Sequence, residues 1–443
     1  MRRRDFLAGT GLAAGAGALA GLAGCEPHRS VRPATPAATA PGPASLDDWG
    51  AVRDQFDLDP GYLHFAAFVL ASHPRPVREA IDAHRRGLDA DAAGYLRANE
   101  LRLEGDVLAA AAAYLGARPE ELALTDSTTM GLGLLYGGLR LRAGQEVVAT
   151  THDFYSTHES LRLAAERAGA PFRKVPLYHD LGSASADEVA GRARRAVGPR
   201  TRVLAVTWVH SSTGLKLPVR AIADALDGLN RDRDAADRVL LCVDAVHALG
   251  VEPDALPGLG CDFLVAGCHK WLFGPRGTGI VWGAPAAWPA VAATIPTFDR
   301  RGIGAWIAGD APGDLPPGAA MTPGGYHSFE HRWALADAFR LHARIGKERV
   351  AQRTQALARQ LKEGLRAMAH VRLATPLAEE LSAGIVCFDV DGRNAAEVRD
   401  HLLADKVVAS LTPYAVEHVR LGPSMVTSPG DVDRALGSIR ALA

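Results

Sequence analysis

The strongest constraint on the fold is an alternation of short apolar runs with helical segments. The runs "EVVAT", "FRKVPL", "TRVLAVTWV", "VLLCVDAV" and "DFLVAG" are rich in β-branched residues, and segments such as "HESLRLAAERAG" and "PVRAIADALDGL" separate several of them. Strands that alternate with helices favour a mostly parallel, doubly wound sheet covered on both faces. The sequence therefore predicts an α/β fold, with a large domain of this kind over residues 76–305.

The pattern changes after about Trp306. A Pro/Gly-rich stretch, "GDAPGDLPPGAAMTPGG", leads to a long helical segment and then to short runs such as "GIVCFDV" and "VRLGP". We expect residues 306–443 to form a linker and a smaller C-terminal α+β domain, with residues 46–75 packing near it. A hydrophobic content of 48% and a charged content of 22% are typical of a soluble enzyme.

The chain begins with "MRRRDFLAGTGLAAGAGALAGLAGC". A basic head, an apolar Gly/Ala-rich stretch and small residues before a cysteine are typical of a signal peptide, and the Arg pair before "DFL" resembles a twin-arginine signal. We expect residues 1–25 to be this signal with a lipobox, Cys25 to be lipidated, and residues 26–45 to be a Pro/Ala-rich tether. The predicted location is periplasmic, or on the outer face of the cytoplasmic membrane. The protein would touch the membrane only through this lipid.

A lysine directly after an apolar run is the first candidate for chemistry. Lys270 follows "DFLVAGCH" and precedes the glycine-rich turn "GPRGTG". A lysine among apolar residues is costly unless it is deprotonated or covalently used, as in a Schiff base with an aldehyde cofactor. Asp244 ends the apolar run "LLCVD", at the sheet edge where α/β proteins bind ligands. Its carboxylate suits the pyridinium nitrogen of a cofactor ring, which it would keep protonated. His247 suits a hydrogen bond to a phenolic oxygen of the same ring.

A third signal is "LTDSTTMGLG", a strand that leads into Ser127, Thr128 and Thr129 at the start of a helix. Hydroxyls and free backbone N–H groups at a helix N-terminus form an anion site suited to phosphate. Taken singly, each signal also fits a plain structural role, such as a helix cap or a surface pair. Their order and spacing together are more specific.

Together these motifs resemble the class V aminotransferase family of fold-type I pyridoxal-phosphate enzymes, which includes isopenicillin N epimerase and the cysteine desulfurases. The resemblance implies pyridoxal 5'-phosphate as the cofactor, with Lys270 as its Schiff-base lysine, Asp244 at the pyridine nitrogen and His247 near the phenolic oxygen. It also implies a homodimer. No nucleic-acid partner is expected, since the net charge is only −1.

The same resemblance implies roles for further residues. His269, Thr128 and Thr129 would bind the phosphate, and Ser211 would lie beside the cofactor. Phe154 falls at the ring-stacking position, although a core role fits its local sequence equally well. Arg420, in "EHVRLGP", falls where the family binds the substrate carboxylate, a task suited to a guanidinium fork; a surface arginine on a strand is the alternative.

Departures from the family pattern narrow the expected reaction. Cysteine desulfurases carry a nucleophilic cysteine in the loop before that arginine, and "KVVASLTPYAVEHVR" has none, so the enzyme is predicted not to be a cysteine desulfurase. Where relatives usually show a Gly-Thr pair that reaches a partner subunit's phosphate, this chain has Arg332 and Trp333. His152, Asp153 and His158 lack the spacing of a metal site, and none is predicted.

The expected chemistry is at the α-carbon of an amino acid or of a natural product that bears one. Because 2-oxo acids should be scarce outside the cytoplasmic membrane and O₂ is available there, oxidative deamination or decarboxylation by O₂ is favoured. Transamination and epimerisation are the alternatives, and a non-catalytic exported binding lipoprotein is an alternative of another class.

Overall fold

A seven-stranded sheet forms the centre of the larger part of the molecule. The computed structural model describes residues 45–311 and 313–443. The predicted signal and lipobox at 1–25, with Cys25, and all of the predicted tether except its last residue, lie outside the described residues. The strands, in chain order, are β1 (Leu63–His64), β2 (Leu122–Thr125), β3 (Glu146–Thr150), β4 (Phe172–Val175), β5 (Thr201–Thr207), β6 (Leu240–Asp244), β7 (Phe263–Gly267), β8 (Gly279–Gly283), β9 (Val371–Leu373), β10 (Val386–Val390), β11 (Val407–Val408), β12 (Ser410–Leu411) and β13 (Val419–Leu421).

The central sheet has the strand order β2-β8-β7-β6-β5-β3-β4. Strands β7, β6, β5, β3 and β4 run parallel to one another, whereas β8 is antiparallel to both β7 and β2. Every residue of β5, β6, β7 and β8 is buried, as expected for strands covered on both faces. The predicted α/β fold with a mostly parallel sheet is confirmed.

Helices cover both faces of this sheet. In chain order they are α1 (Trp49–Arg53), α2 (Arg75–Ala90), α3 (Ala92–Leu115), α4 (Thr128–Gly137), α5 (Tyr155–Ala168), α6 (Ala186–Ala196), α7 (Val219–Asn230), α8 (Leu256–Leu259), α9 (Arg300–Ala308), α10 (Pro317–Met321), α11 (Phe329–Ile345), α12 (Lys347–Arg366), α13 (Ala395–Ala404) and α14 (Pro429–Arg440). Successive residues of a strand point to opposite faces. Accordingly, Leu240 packs in the core with α4 and α5, while Leu241 packs in the core with α6 and α7.

A second, antiparallel sheet lies in the C-terminal part, in the order β12-β13-β10-β9. It shares a separate apolar core with α12, α13 and α14, through residues such as Leu361, Phe388 and Ile439. The short strand β1 pairs in parallel with β11, so the N-terminal segment contacts this part of the chain. The boundaries 46–75, 76–305 and 306–443 stay predictions. Among the described residues, no helix is long and apolar enough to span a membrane.

Candidate active site

One cavity of about 240 Å³ brings the predicted site residues together. It lies where β6 and β7 end, between the central sheet and the segment that carries β12 and β13. The predicted residues that line it are Ser127, Thr128, Thr129, Phe154, Ser211, Asp244, His247, His269, Lys270 and Arg420. Residues almost 300 positions apart therefore share one pocket, and their individual roles stay predictions.

Asp244 is the last residue of β6 and is 2% exposed. Its Oδ1 accepts a hydrogen bond from the backbone N–H of Val246 at 3.0 Å. Burial raises the pKa of Asp244 to about 6, while the Val246 hydrogen bond and the nearby Lys270 act in the opposite direction. The carboxylate is therefore ionised near neutral pH and suits a cationic N–H group inside the pocket.

Lys270 lies three residues after β7, with Nζ 3.4 Å from Nε2 of His247. Burial lowers the pKa of Lys270 to about 8; the positive charge of Arg420 acts in the same direction, and Asp244 opposes it. Burial also lowers the pKa of His247 well below its ordinary value. A neutral imidazole thus lies beside an amine that loses its proton far more readily than an ordinary lysine, as required of a nucleophile or base.

The start of α4 forms one end of the cavity. Ser127 is the N-cap and its Oγ accepts from the backbone N–H of Met130 at 3.1 Å. Oγ1 of Thr128 accepts from the backbone N–H of Gly267 at 2.8 Å. A Cβ on Gly267 would lie 2.9 Å from Oγ1 of Thr128 and from Cε1 of His269, so only glycine leaves this space open. The free N–H groups of the first helical turn suit an anion.

These features fit pyridoxal phosphate. The cavity has an anion site at one end, a buried carboxylate on β6 and an amine with a lowered pKa. Two of its imidazole atoms, Nδ1 of His247 and Nδ1 of His269, are buried without a hydrogen-bond partner among residues 45–311 and 313–443. Buried polar atoms normally have partners, so a polar ligand would satisfy them.

Arg420 reaches the cavity from β13. Its Nε donates to Oγ of Ser410 at 3.1 Å and its Nη1 donates to the backbone oxygen of Ser211 at 3.0 Å. Its guanidinium carbon lies 5.1 Å from the ring centre of Phe68. Two polar contacts and one aromatic face therefore fix the guanidinium. Its remaining N–H groups have no hydrogen-bond partner among residues 45–311 and 313–443, and they suit a carboxylate.

The loop that holds Ser211 depends on a glycine. Gly214 has a φ of +72°, and its N–H donates to the backbone oxygen of His210 at 2.8 Å, which closes the turn. A Cβ on Gly214 would lie 2.3 Å from the backbone oxygen of Ile385, the residue directly before β10. Glycine is therefore required both by the left-handed backbone and by the close approach of the segment that leads into β10.

Phe68 and Tyr414 are among the residues near the site that were not predicted from sequence. Phe68 lines the cavity beneath Arg420 and stacks on Trp271, with ring centres 5.8 Å apart. Tyr414 places its Oη 3.0 Å from Oγ of Ser211. Phe68 carries no local signal of a site, because an aromatic residue in an apolar run indicates a core residue. Tyr414 lies in the loop that lacks a cysteine, and no local pattern there indicates that its phenol meets Ser211.

Side chains that did not enter the predicted site have structural contacts. His152 stacks on Tyr178 with ring centres 4.7 Å apart, and His158 contacts the backbone oxygen of Thr150. Arg332 is buried and forms ion pairs with Asp126 and Glu104 at 3.2 and 3.7 Å. Trp333, 1% exposed, packs in the core.

Known proteins resemble this chain along most of its length. It is 26% identical over 406 residues to isopenicillin N epimerase of Streptomyces clavuligerus, covering 90% of this chain and 99% of that protein. It is 28% identical over 292 residues to a cysteine desulfurase of Klebsiella pneumoniae, covering 64% of this chain and 66% of that one. A solved structure of a mutant of C-DES, with glycine covalently linked to the PLP cofactor, matches with a TM-score of 0.78 at 21% identity, covering 88% of this chain and 98% of that chain.

The prediction that the enzyme is not a cysteine desulfurase is contradicted by these comparisons. Cysteine desulfurases are among the known proteins that are most similar to this chain, and the solved structures that share the fold include the cystine C–S lyase C-DES and cysteine desulfurases. The prediction rested on one missing cysteine in a single loop. Such a local feature is outweighed by similarity that extends over most of the chain.

The family model for class V aminotransferases matches residues 106–411, well over half of the chain. This range includes Lys270, Asp244 and the start of α4, and the fold is that of solved fold-type I structures. The predictions of the family and of pyridoxal phosphate as cofactor are confirmed by this match. The chain belongs to the class V aminotransferase family.

Proposed function

We propose that this protein is a pyridoxal-phosphate enzyme that moves a proton at the α-carbon of an amino acid whose carboxylate is bound by Arg420. One observation carries the proposal. The amine of Lys270, the carboxylate of Asp244 and the guanidinium of Arg420 line the same cavity. A base, a partner for a ring nitrogen and a carboxylate site are the groups that this chemistry needs.

Pyridoxal phosphate supplies, when bound, an electron sink that stabilises negative charge at the α-carbon. Ser127, Thr128, Thr129 and His269 would hold its phosphate at the start of α4. Asp244, ionised near neutral pH, would accept a hydrogen bond from the ring nitrogen and keep it protonated.

Lys270 would hold the cofactor aldehyde and afterwards carry the substrate proton. Its lowered pKa supports both tasks, because a neutral amine attacks an aldehyde and accepts a proton. The fixed guanidinium of Arg420 would orient the substrate so that its α-carbon proton faces this amine.

We infer O₂-dependent oxidation as the outcome from the predicted export. An amino acid, O₂ and water would yield a 2-oxo acid, ammonia and hydrogen peroxide, and no second keto substrate is needed. Epimerisation is the second candidate. It is favoured by the match to isopenicillin N epimerase, which covers 99% of that protein. Epimerisation would leave O₂ untouched and would return a proton to the opposite face of the same carbon.

The first experiment tests the cofactor and its lysine. Full-length protein loaded with pyridoxal phosphate should show a visible absorption band that Lys270→Ala abolishes. Lys174→Ala, which alters an exposed lysine on β4, is the matched control and should keep the band. A colourless wild type that takes up no cofactor would contradict the proposal and leave a non-catalytic binding protein.

The second experiment separates the reactions. Candidate amino acids are incubated in deuterated water, and the α-proton signal is followed by NMR together with oxygen uptake, chirality and sulfide release from cysteine. Loss of the α-proton signal that depends on Lys270 supports the proposal. Peroxide without added 2-oxo acid indicates oxidation, and inverted chirality without oxygen uptake indicates epimerisation. Turnover strictly dependent on a 2-oxo acid would contradict the oxidase assignment, and sulfide would indicate desulfuration.

We also propose export by the twin-arginine route and lipidation at Cys25. Replacing Arg2, Arg3 and Arg4 by lysine should retain the protein in the cytoplasm, and Cys25→Ser should release it from the membrane fraction. Cell fractionation measures both. Export that survives the arginine replacement would contradict the route.

A homodimer is proposed from a group of exposed apolar side chains on and near α9. Trp306 and Ile307 are 65% and 56% exposed, and Phe298 and Tyr326 are 56% and 84% exposed. Apolar patches of this kind often mark protein contacts. Light scattering should give twice the monomer mass, and Trp306→Glu should reduce it. A monomeric wild type would contradict the proposal.

A further inference from the structure

Tyr414 occupies a loop between β12 and β13 that is fixed by its own hydrogen bonds. The backbone N–H of Thr412 donates to the backbone oxygen of His418 at 3.0 Å, and the N–H of His418 donates to Oγ1 of Thr412 at 2.8 Å. Oγ1 of Thr412 in turn donates to the backbone oxygen of Val416 at 3.0 Å. These bonds hold the loop in a tight turn, so Pro413 lines the cavity and Tyr414 is placed beside it.

The side chain of Tyr414 crosses from the second sheet to a loop of the central sheet. Its Oη lies 3.0 Å from Oγ of Ser211, and its ring meets Phe154 edge to face with ring centres 6.1 Å apart. Both of these partners line the cofactor cavity. The phenol is therefore packed against the wall of the site on one side and hydrogen-bonded to it on the other.

Either hydroxyl can donate in the hydrogen bond between Tyr414 and Ser211. Burial raises the pKa of Tyr414 to about 12, so the phenol keeps its proton at physiological pH and has a proton to donate to Oγ of Ser211. When Tyr414 donates, the Ser211 hydroxyl keeps its own proton for a group in the cavity that Ser211 lines. The backbone oxygen of Ser211 accepts from Arg420 at 3.0 Å, so this residue is held from both ends.

We propose that Tyr414 is a positioning residue that acts through Ser211: it turns the Ser211 hydroxyl proton towards the phenolic oxygen of bound pyridoxal phosphate. The inference rests on the proposed function, because it needs the cofactor bound at Lys270. A donated hydrogen bond stabilises negative charge on that oxygen, and a donor that is itself hydrogen-bonded is a stronger donor. The pair would thus tune the acidity of the bound cofactor before any substrate arrives.

The test uses the absorbance of the cofactor-loaded protein without substrate. The visible band is titrated with pH in the wild type, Tyr414→Phe, Ser211→Ala and the double variant. Without the Tyr414 hydroxyl, Ser211 is a weaker hydrogen-bond donor to the phenolic oxygen of the cofactor. That oxygen then holds the neighbouring proton of the lysine–cofactor linkage more tightly, so the pH midpoint of the visible band should rise. We expect a rise of about 0.4 to 1 pH unit in Tyr414→Phe, the size expected for one hydrogen bond.

The double variant distinguishes an action through Ser211 from a general loosening of the pocket. When Ser211→Ala is already present, Tyr414→Phe should raise the titration midpoint by less than about a further 0.2 pH unit, as expected for coupled residues. Tyr155→Phe removes a phenolic hydroxyl from the 70% exposed residue beside Phe154 and is the matched control; its midpoint should equal the wild-type value. Asp244, His247, His269, Lys270 and Arg420, the other titratable groups that line the cavity, are unchanged in every variant.

Two results would overturn the inference. One is a midpoint in Tyr414→Phe that matches the wild type, and the other is an equal shift with and without Ser211. If the wild-type band does not titrate between pH 5 and 10, the dissociation constant for pyridoxal phosphate is compared instead. An increase of about 2-fold to 10-fold in Tyr414→Phe supports the inference, and an unchanged constant overturns it. A wild type without any band that depends on Lys270 overturns the proposed function itself.

Discussion

Nζ of Lys270 and Nε2 of His247 lie 3.4 Å apart in the cavity that Asp244 and Arg420 also line. Burial lowers the pKa values of both side chains, so the two nitrogens can lie this close without both carrying a positive charge. Arg420 is then the main fixed cation on this wall, and it disfavours a second charge on Lys270.

The lowered pKa of Lys270 predicts how cofactor uptake depends on pH. A lysine attacks an aldehyde only as the neutral amine, which is present above the pKa of that amine. We expect the rate of band formation after addition of pyridoxal phosphate to apo-protein to rise with pH and to level off above about 8. Stopped-flow absorbance measures the rate. A rate that still rises steeply up to pH 10, as for an ordinary lysine at 10.5, would contradict this reading.

Arg420→Met should weaken the use of substrates that carry a free carboxylate. Hydrogen bonds to charged groups contribute about 1.5 to 3 kcal/mol, so kcat/KM should fall by about 10-fold to 100-fold. Arg420→Lys keeps the charge but loses the fork of the guanidinium group, so its kcat/KM should lie between those of the wild type and Arg420→Met. The control substrate is the corresponding amine without a carboxylate. If kcat/KM falls equally for that amine, Arg420 does not bind the carboxylate.

Asp244→Asn should separate cofactor binding from turnover. The amide fills the same space but carries no charge to keep a ring nitrogen protonated. We expect the visible band to persist while single-turnover rates fall by about 100-fold to 1,000-fold, the usual cost of removing one electrostatic stabiliser. Asp244→Glu keeps the charge and should recover part of the rate. Asp244→Asn with the wild-type rate would exclude the assigned role.

Asp153 predicts a stability effect, because it joins two strands beneath the site. Its Oδ2 accepts from the backbone N–H of Thr150 at 2.6 Å and its Oδ1 from that of Thr207 at 2.7 Å. Asp153→Ala leaves both buried N–H groups unpaired, at about 1 to 3 kcal/mol each, so the melting temperature should fall by several degrees.

The control for Asp153 is Asp310→Ala, which alters an exposed carboxylate after α9 and should melt within about one degree of the wild type. Thermal unfolding followed by circular dichroism measures all three proteins. Equal melting temperatures for the two alanine variants would show that Asp153 does not tie β3 to β5.

The sequence by itself determined the α/β class and the edge at which the chemistry lies. Apolar runs that end at Asp244 and just before Lys270 are local patterns, and in parallel strands these ends meet on one side of the sheet. The motif at Ser127 is equally local, because a helix N-cap is defined by a few consecutive residues. For this reason Lys270, Asp244 and the residues around Thr128 were found together from their spacing.

Only the tertiary structure decided what closes the site. Arg420 and Tyr414 both contact Ser211, more than 200 positions away in the chain, and Phe68 lies beneath Arg420 from a third segment. The antiparallel placement of β8 within the central sheet is a feature of the same kind. Such contacts depend on how the second sheet packs against the first, and the apolar burial that drives this packing has no direction of its own. A linear pattern can therefore place a residue at the end of a strand, but it does not name the partner that the residue meets across the pocket.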